Sequence, residues 1–359
     1  MMSNHLKFIN LAHDVASKNL GKTFPNPTVG CVISKNNIII SKAVTSATGR
    51  PHAEEIALKK AGKKAKGAIM YVTLEPCFHN SQNGSCADQI LRSGINKIYI
   101  SCIDQDPRTK KKSISKLKKN KIKVITGIEK DKTISVNNFY FKSLKKKKPF
   151  TKVKMAISND NKIAWSNYKS KWISNSKSRS YVHSLREKTQ AILTTSKTIL
   201  KDNPRFTVRK KNKIIKNLNV IIIDKNLNIP LNINLLKNLH ERRVIIFTSK
   251  KNNKSQKLKQ LGCEIIEMKI VNNKFDLKKI FSHIYQLKIS DLMVEAGGIL
   301  FADLIKNNLV DEILLFKASF IIGEKGVPVI EGNSLNNIKK KLLEIIKFDD
   351  NLYLKYAIK

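Results

Sequence analysis

Long apolar runs are missing from the 359 residues. No stretch approaches the ~20 residues that cross a bilayer, so no membrane partner is expected. The opening residues, MMSNHLKFINLAHDVASKNL, hold no apolar core of the kind an export signal carries and read as an amphipathic helix. Cysteine is sparse: there are five, an odd number in no paired framework, which points to a reducing compartment. A cytoplasmic protein is therefore expected. Acidic residues are few as well, with 27 Asp and Glu against 69 Lys and Arg and a formal charge of +42. Such a charge invites a nucleic-acid reading. Lysine, however, is spread through nearly every segment beside Asn and Ile, which is a compositional drift and not a tuned patch. Only Lys145 to Lys148 form a block, where a linker is expected. Aromatic residues, at 7%, do not interleave with the basic runs, so no base-stacking platform is visible. No nucleic-acid partner is expected; the positive field suits phosphorylated small molecules. The chain is too long for one ordinary core, and two domains are expected.

What is present is chemical. Pro51-His52-Ala53-Glu54 is followed by Glu75-Pro76-Cys77 and by Cys86. One imidazole and two thiolates hold Zn²⁺ and leave a fourth position for water, whose pKa the metal lowers toward ~7. A carboxylate that is not a ligand then carries protons to a leaving amine. Positions two apart on a helix point about 200° from each other, so His52 and Glu54 reach one metal only if His52 sits at the helix entrance. Pro51 suits that entrance, Ala53 to Ala61 reads as helix, and Gly62 as its stop. Ala68 to Leu74 reads as a buried strand before Cys77. Taken singly, a His before a helix is a cap and a Cys is core; taken together the set is specific for zinc. Cys31, Cys102 and Cys263 sit in or beside apolar runs and are expected in the core.

Along the chain, Asn26 lies in a stiff turn with two prolines, and strands are expected at Val29 to Ile33 and Ile38 to Ser41, joined by Asn36-Asn37 as a hairpin. Helix Cys86 to Ser93, strand Lys97 to Ile100 and a further helix and strand to about Ile125 follow, with Asp104-Gln105-Asp106-Pro107 between. After Pro149, Phe150 to Ser158 reads as a strand and Ser176 to Glu187 as a helix with Ser176 as its N-cap. Short apolar strands are expected at Ala191 to Thr194, Val220 to Asp224, Val244 to Phe247, Leu292 to Glu295 and Glu312 to Phe316, with helices between them. At Val294-Glu295-Ala296-Gly297-Gly298 a strand meets a helix through two glycines, a junction that offers N–H groups to a phosphate. It is not the G-x-G-x-x-G fingerprint, so a Rossmann domain is not indicated.

TFPNPTVGCVI, PHAE, TLEPC with a second Cys nine positions on, and the Asp104/Asp106 loop resemble the deaminase half of the bifunctional deaminase–reductases of riboflavin biosynthesis. The eight residues between the cysteines distinguish this branch from the wider cytidine-deaminase-like superfamily. The resemblance implies His52, Cys77 and Cys86 as zinc ligands and Glu54 as proton shuttle, with Asn26, His79, Asp104 and Asp106 at substrate or pocket positions. Two loops depart from the family pattern: Gln82 stands at a usually basic position, and Lys111 and Ser113 replace glycines. Lys110, Lys111 or Lys112 can compensate.

KMAISNDNKI, SKWI, Leu185-Arg186, AILTTSKTILKDNPRFTVR and VEAGG resemble the reductase half of the same family. The two halves together cover nearly the whole chain. This half implies NADPH at Ala156, Trp172, Thr198, Asp202, Gly297, Gly298, Ile299, Leu300, Phe301, Ala302 and Asp303. It implies substrate at Ser170, Arg186, Phe206, Arg209, Glu295 and Lys154. Arg186 and Arg209 suit a two-point grip on phosphate, and Glu295 suits ribose hydroxyls. Asn161 replaces a glycine after Asp160 and can also adopt a left-handed turn. The expected architecture is α/β: a cytidine-deaminase-like three-layer domain over residues 1–146, then a dihydrofolate-reductase-like α/β domain over residues 147–359. The implied work is deamination of a phosphoribosylated diaminopyrimidinone, then reduction of its ribosyl group to ribityl by NADPH, in a homo-oligomer. A nucleic-acid base deaminase is the alternative, disfavoured by the second domain and the wide cysteine gap. A non-enzymatic basic scaffold is disfavoured by the intact His/Glu/Cys/Cys set.

Overall fold

A computed structural model describes residues 2–79, 84–167, 173–330 and 338–358. They form two compact units, Met1–Lys147 and Lys148–Lys359.

In the first unit β1 (Gly30–Lys35) and β2 (Ile38–Val44) pair antiparallel. Asn36 and Asn37 turn between them with φ of 51° and 62°, the left-handed pair that a two-residue hairpin turn requires. β1 also pairs antiparallel with β3 (Ile69–Leu74), which continues in parallel through β4 (Lys97–Cys102) to β5 (Lys123–Thr126). The alternation of side chains along a strand divides the apolar residues between two cores. Val32, Tyr71 and Tyr99 pack with Phe8, Ile9 and Ala12 of α1 (Met2–Ser17). Cys31, Ile33, Met70 and Val72 pack on the other face with α2 (Ala53–Ala61), α3 (Cys86–Arg92) and α4 (Lys112–Lys119). Helices thus cover both faces of the sheet, with α5 (Lys130–Val136) and α6 (Asn138–Lys146) closing the unit. Gly30 lets α1 lie directly on β1: a Cβ there would come within 1.9 Å of the Ala12 carbonyl oxygen. β3 and β4 run parallel and end level, Leu74 beside Cys102. The segments leaving their C-terminal ends therefore emerge side by side, where sheets of this kind bind ligands.

The second unit is built on nine strands in the order Glu264–Glu267, Val244–Thr248, Asn219–Ile223, Ala191–Thr195, Asp291–Val294, Phe150–Ile157, Glu312–Lys317, Asn351–Ile358, Lys340–Phe348. The first seven are parallel and the last two antiparallel. Alternate residues again feed two cores, Ile221 one and Val220 and Ile222 the other. The helices are α7 (Ser176–Glu187), α8 (Ser196–Asp202), α9 (Asn253–Gln260), α10 (Leu277–Gln286) and α11 (Gly298–Lys306). α7 is capped by Asn175, not Ser176: the Asn175 side chain accepts from the Ser178 N–H at 2.9 Å. All five cysteines are buried and unpaired, Cys31, Cys102 and Cys263 among core residues. Among the described residues no helix is long and apolar enough to cross a membrane.

Candidate functional site

His52 is the N-cap of α2, extended at φ −72° and ψ 160°, so its ring leaves the helix before the helical turn begins. Glu54, in the first turn, is buried. Cys77 follows β3 through Glu75-Pro76, and Cys86 is the first residue of α3. Ser85 caps that helix with Asp88: its hydroxyl accepts from the Asp88 N–H at 3.1 Å, and Asp88 accepts from the Ser85 N–H at 3.2 Å. The helix end therefore points at sulfur, and the Cys86 N–H donates to Cys77 Sγ at 3.3 Å. His52 Nδ1 lies 3.3 Å from Cys86 Sγ, and the three donor atoms lie within 4.8 Å of one another.

This set fits zinc. Bonds of ~2.0 Å to nitrogen and ~2.3 Å to sulfur place tetrahedral ligands at about this mutual spacing. The two sulfurs titrate as a pair. Hydrogen bonding from the Cys86 side chain holds Cys77 down to about 4, and the same contact with burial pushes Cys86 up. A divalent cation is what allows both to ionise. Glu54 Oε2 is buried with no hydrogen-bond partner among the described residues. Burial pushes this carboxyl up to about 7, against the pull of His52, into the range where one group both takes and gives a proton at neutral pH.

The other expected residues of this unit are held in different ways. His79 is half-buried; its Nε2 lies 3.4 Å from the Arg50 guanidinium and its Nδ1 is buried without a partner among the described residues. Asn26 donates through Nδ2 to the Gly49 carbonyl at 2.9 Å. Asp106 grips Arg108 Nε with both oxygens, at 3.1 and 3.0 Å. Asp104 Oδ1 accepts from Tyr140 Oη at 2.9 Å and the Asp106 N–H at 3.0 Å, and burial pushes Asp104 up to about 6. Gln82 lies outside the described residues. Lys111 takes φ 60°, a backbone state that glycine adopts without penalty, and Ser113 is buried.

Sequence reasoning gave Glu75 no role. It is buried, and its carboxylate accepts from the Asp104 N–H (3.2 Å), the Lys111 N–H (3.0 Å) and Ser113 Oγ (2.8 Å). Its partners lie 29 to 38 positions away, so no local signal marks it.

The second unit holds a cavity of about 690 Å³. Lys154, Ala156, Arg186, Thr198, Asp202 and Phe206 line it, as do Glu295, Gly297, Gly298, Ile299, Leu300 and Asp303. Phe301 and Ala302 do not: both are buried on the inner side of α11, with Phe301 in the core cluster, because the helical period turns them away from the cavity. Arg209 is also absent from the lining; it is exposed, with Nε donating to Thr207 Oγ1 at 3.3 Å. Ser170 and Trp172 lie outside the described residues. Arg186 does not present an open fork for phosphate. Its Nε and Nη2 donate to the two oxygens of Glu295 at 2.7 and 2.9 Å, and Lys154 Nζ sits 3.2 Å from the same carboxylate. Burial alone would raise Glu295; Arg186 and Lys154 outweigh it and hold the carboxyl well below the usual range. The lining also includes Arg179, His183, Lys197 and Lys201, which sequence reasoning missed. Lys197 and Lys201 flank the expected Thr198 and Asp202 on α8, one turn apart.

Gly297 supplies the fit test for a dinucleotide. Its φ of −75° and ψ of 175° suit any residue, and a Cβ built there meets nothing within 4 Å among the described residues. Neither conformation nor packing demands glycine; Gly297 is exposed, and the space at the start of α11 is open enough to admit a ligand.

The family described as the cytidine and deoxycytidylate deaminase zinc-binding region matches residues 2–102, and the RibD C-terminal domain family matches residues 149–354. The chain is 36% identical to a riboflavin biosynthesis protein RibD of Aquifex aeolicus over 344 residues, covering 93% of this chain and 94% of that protein. It is 29% identical to the Escherichia coli RibD over 319 residues, 86% and 87% of the two chains. A solved Acinetobacter baumannii RibD superposes with a TM-score of 0.91 at 28% identity, covering 100% of both chains. A Thermotoga maritima diaminohydroxyphosphoribosylaminopyrimidine deaminase/5-amino-6-(5-phosphoribosylamino)uracil reductase superposes at 0.86 and 28% identity, covering 99% of both.

Proposed function

Because the chain belongs to the RibD family of bifunctional riboflavin-biosynthesis enzymes, a zinc-dependent deaminase joined to a reductase, we propose that residues 1–146 deaminate and residues 147–359 reduce. The substrate is a phosphoribosylated diaminopyrimidinone, and the product of the second step carries a phosphoribityl group. His52, Cys77 and Cys86 hold the zinc. When bound, the metal supplies a Lewis acid that lowers the pKa of water toward ~7. Glu54 moves the proton: its carboxyl, pushed up to about 7 and with Oε2 unpartnered among the described residues, takes a proton from water and returns it to the departing amine. His79 and the Asp104–Asp106 loop shape the pyrimidine pocket.

When bound in the second unit, NADPH would supply a hydride for the sugar carbon. The Gly297-Gly298 junction at the N-terminal end of α11 receives cofactor phosphate, with Ala156, Thr198, Asp202 and Asp303 along the same cavity. Glu295, kept ionised by Arg186 and Lys154, accepts from ribose hydroxyls. Arg209, with an exposed guanidinium, is better placed than Arg186 to meet phosphate. The protein works in the cytoplasm as a homo-oligomer.

The observation that carries this reading is the orphaned Glu54 oxygen beside three converging metal donors. Glu54→Gln is expected to lower ammonia release by about 10²-fold or more while leaving NADPH oxidation with the deaminated intermediate unchanged. Ammonia and NADPH followed separately on pure protein decide it, and parallel loss of both activities overturns the division.

A further inference from the structure

The loop that carries Asp104 and Asp106 leaves β4 at Cys102 and ends where α4 begins at Lys112. α4 has no cap of its own. Lys111 occupies the N-cap position with φ 60° and no side-chain hydrogen bond to the helix. A helix start without a cap leaves N–H groups unsatisfied, and here the acceptor comes from Glu75, the residue after β3. Glu75 Oε2 accepts from Asp104 N–H at one end of the loop and from Lys111 N–H at the other, while Oε1 accepts from Ser113 Oγ in the first turn of α4. One carboxylate oxygen thus closes the Asp104–Lys111 loop at both ends. Glu75 sits two residues before Cys77, and its own N–H is fixed to the Cys102 carbonyl at 2.9 Å. The segment that delivers a metal sulfur and the loop proposed to shape the substrate pocket are therefore held by one side chain.

We infer that Glu75 is a positioning residue for deamination, setting the Asp104–Lys111 loop relative to the zinc segment and so governing substrate affinity. Among the described residues the carboxylate's hydrogen bonds go to the loop and to α4, not to the metal donors; it acts through Asp104 and Asp106. Its defining property is acceptance of three hydrogen bonds. A glutamine preserves these: the amide oxygen takes the two loop N–H groups, and the NH₂ donates to the rotatable Ser113 hydroxyl. Alanine removes all three. The inference rests on the proposed use of this loop by the deaminase substrate.

The test is steady-state deamination by full-length wild type, E75A, E75Q and S113A, with zinc content and NADPH oxidation measured in parallel. Losing the acceptor shared by the two loop N–H groups is expected to raise the E75A KM by about tenfold or more with kcat within about threefold. Zinc stays at one per chain and NADPH oxidation is unchanged. E75Q should return KM to within about threefold of wild type, and S113A should raise it by about two- to fivefold. E75Q as damaged as E75A, loss of zinc from E75A, or a fall in kcat at unchanged KM each overturns the inference. If E75A yields no folded protein, E75D replaces it: its carboxylate falls one methylene short, and an unchanged KM overturns the clamp. Absence of deamination in the wild type strikes the functional reading itself, whereas an active wild type with indifferent variants strikes only this inference.

Discussion

Glu295 is buried, ionised and held from two sides. Its folded-state pKa lies below the unfolded value near ~4.3. A depressed carboxyl stabilises the folded state above the unfolded pKa and loses that contribution as pH falls. Wild type is therefore expected to melt above Glu295→Gln at pH 7, with the gap narrowing as pH drops below ~4. Thermal unfolding from pH 7 to pH 3 checks this, and a gap that stays constant or widens contradicts it. The residue types at this site were legible in sequence, but their pairing was not. Arg186 and Glu295 are 109 positions apart, and a guanidinium suited to phosphate suits a carboxylate equally well. His52, Glu54, Cys77 and Cys86 were legible because each sits at a helix start or strand exit that its own neighbours specify.

The same contrast holds for whole elements. The Asn36-Asn37 hairpin and the left-handed Asn161, at φ 60°, follow from residues that tolerate positive φ. Lys111 is the opposite case, a long side chain in the same backbone state. Lys111→Gly keeps the N–H that Glu75 accepts and removes the left-handed strain, so it is expected to stabilise the first unit by about 1 kcal/mol. Denaturant unfolding followed in that unit checks it; a loss of stability would mean the lysine side chain does more there than its contacts indicate. The C-terminal hairpin was not legible. Every residue of Lys340–Phe348 is exposed or half-exposed, so the strand lacks the one-sided apolar alternation that marks a half-buried strand. α4 was found, but its cap was not, because the capping carboxylate lies 36 positions upstream of Lys111.

At the scale of the molecule, two sheets of different topology each place their candidate site beyond the C-terminal ends of parallel strands, β3 and β4 in one unit and Ala191–Thr195 and Asp291–Val294 in the other. The charge of +42 does not distinguish these two places, since lysine is distributed along the whole chain. Gly297 does. Its backbone accepts any L-residue and its missing side chain leaves room that no atom of the described residues fills. Gly297→Val should therefore fold as the parent does and obstruct the dinucleotide, cutting NADPH consumption by about tenfold or more with ammonia release intact. Melting temperature and the two product assays check it. Such a variant would act as a one-residue stopcock: the uracil made by the first half would collect in the flask, in quantities sufficient to isolate and feed to an untouched second half.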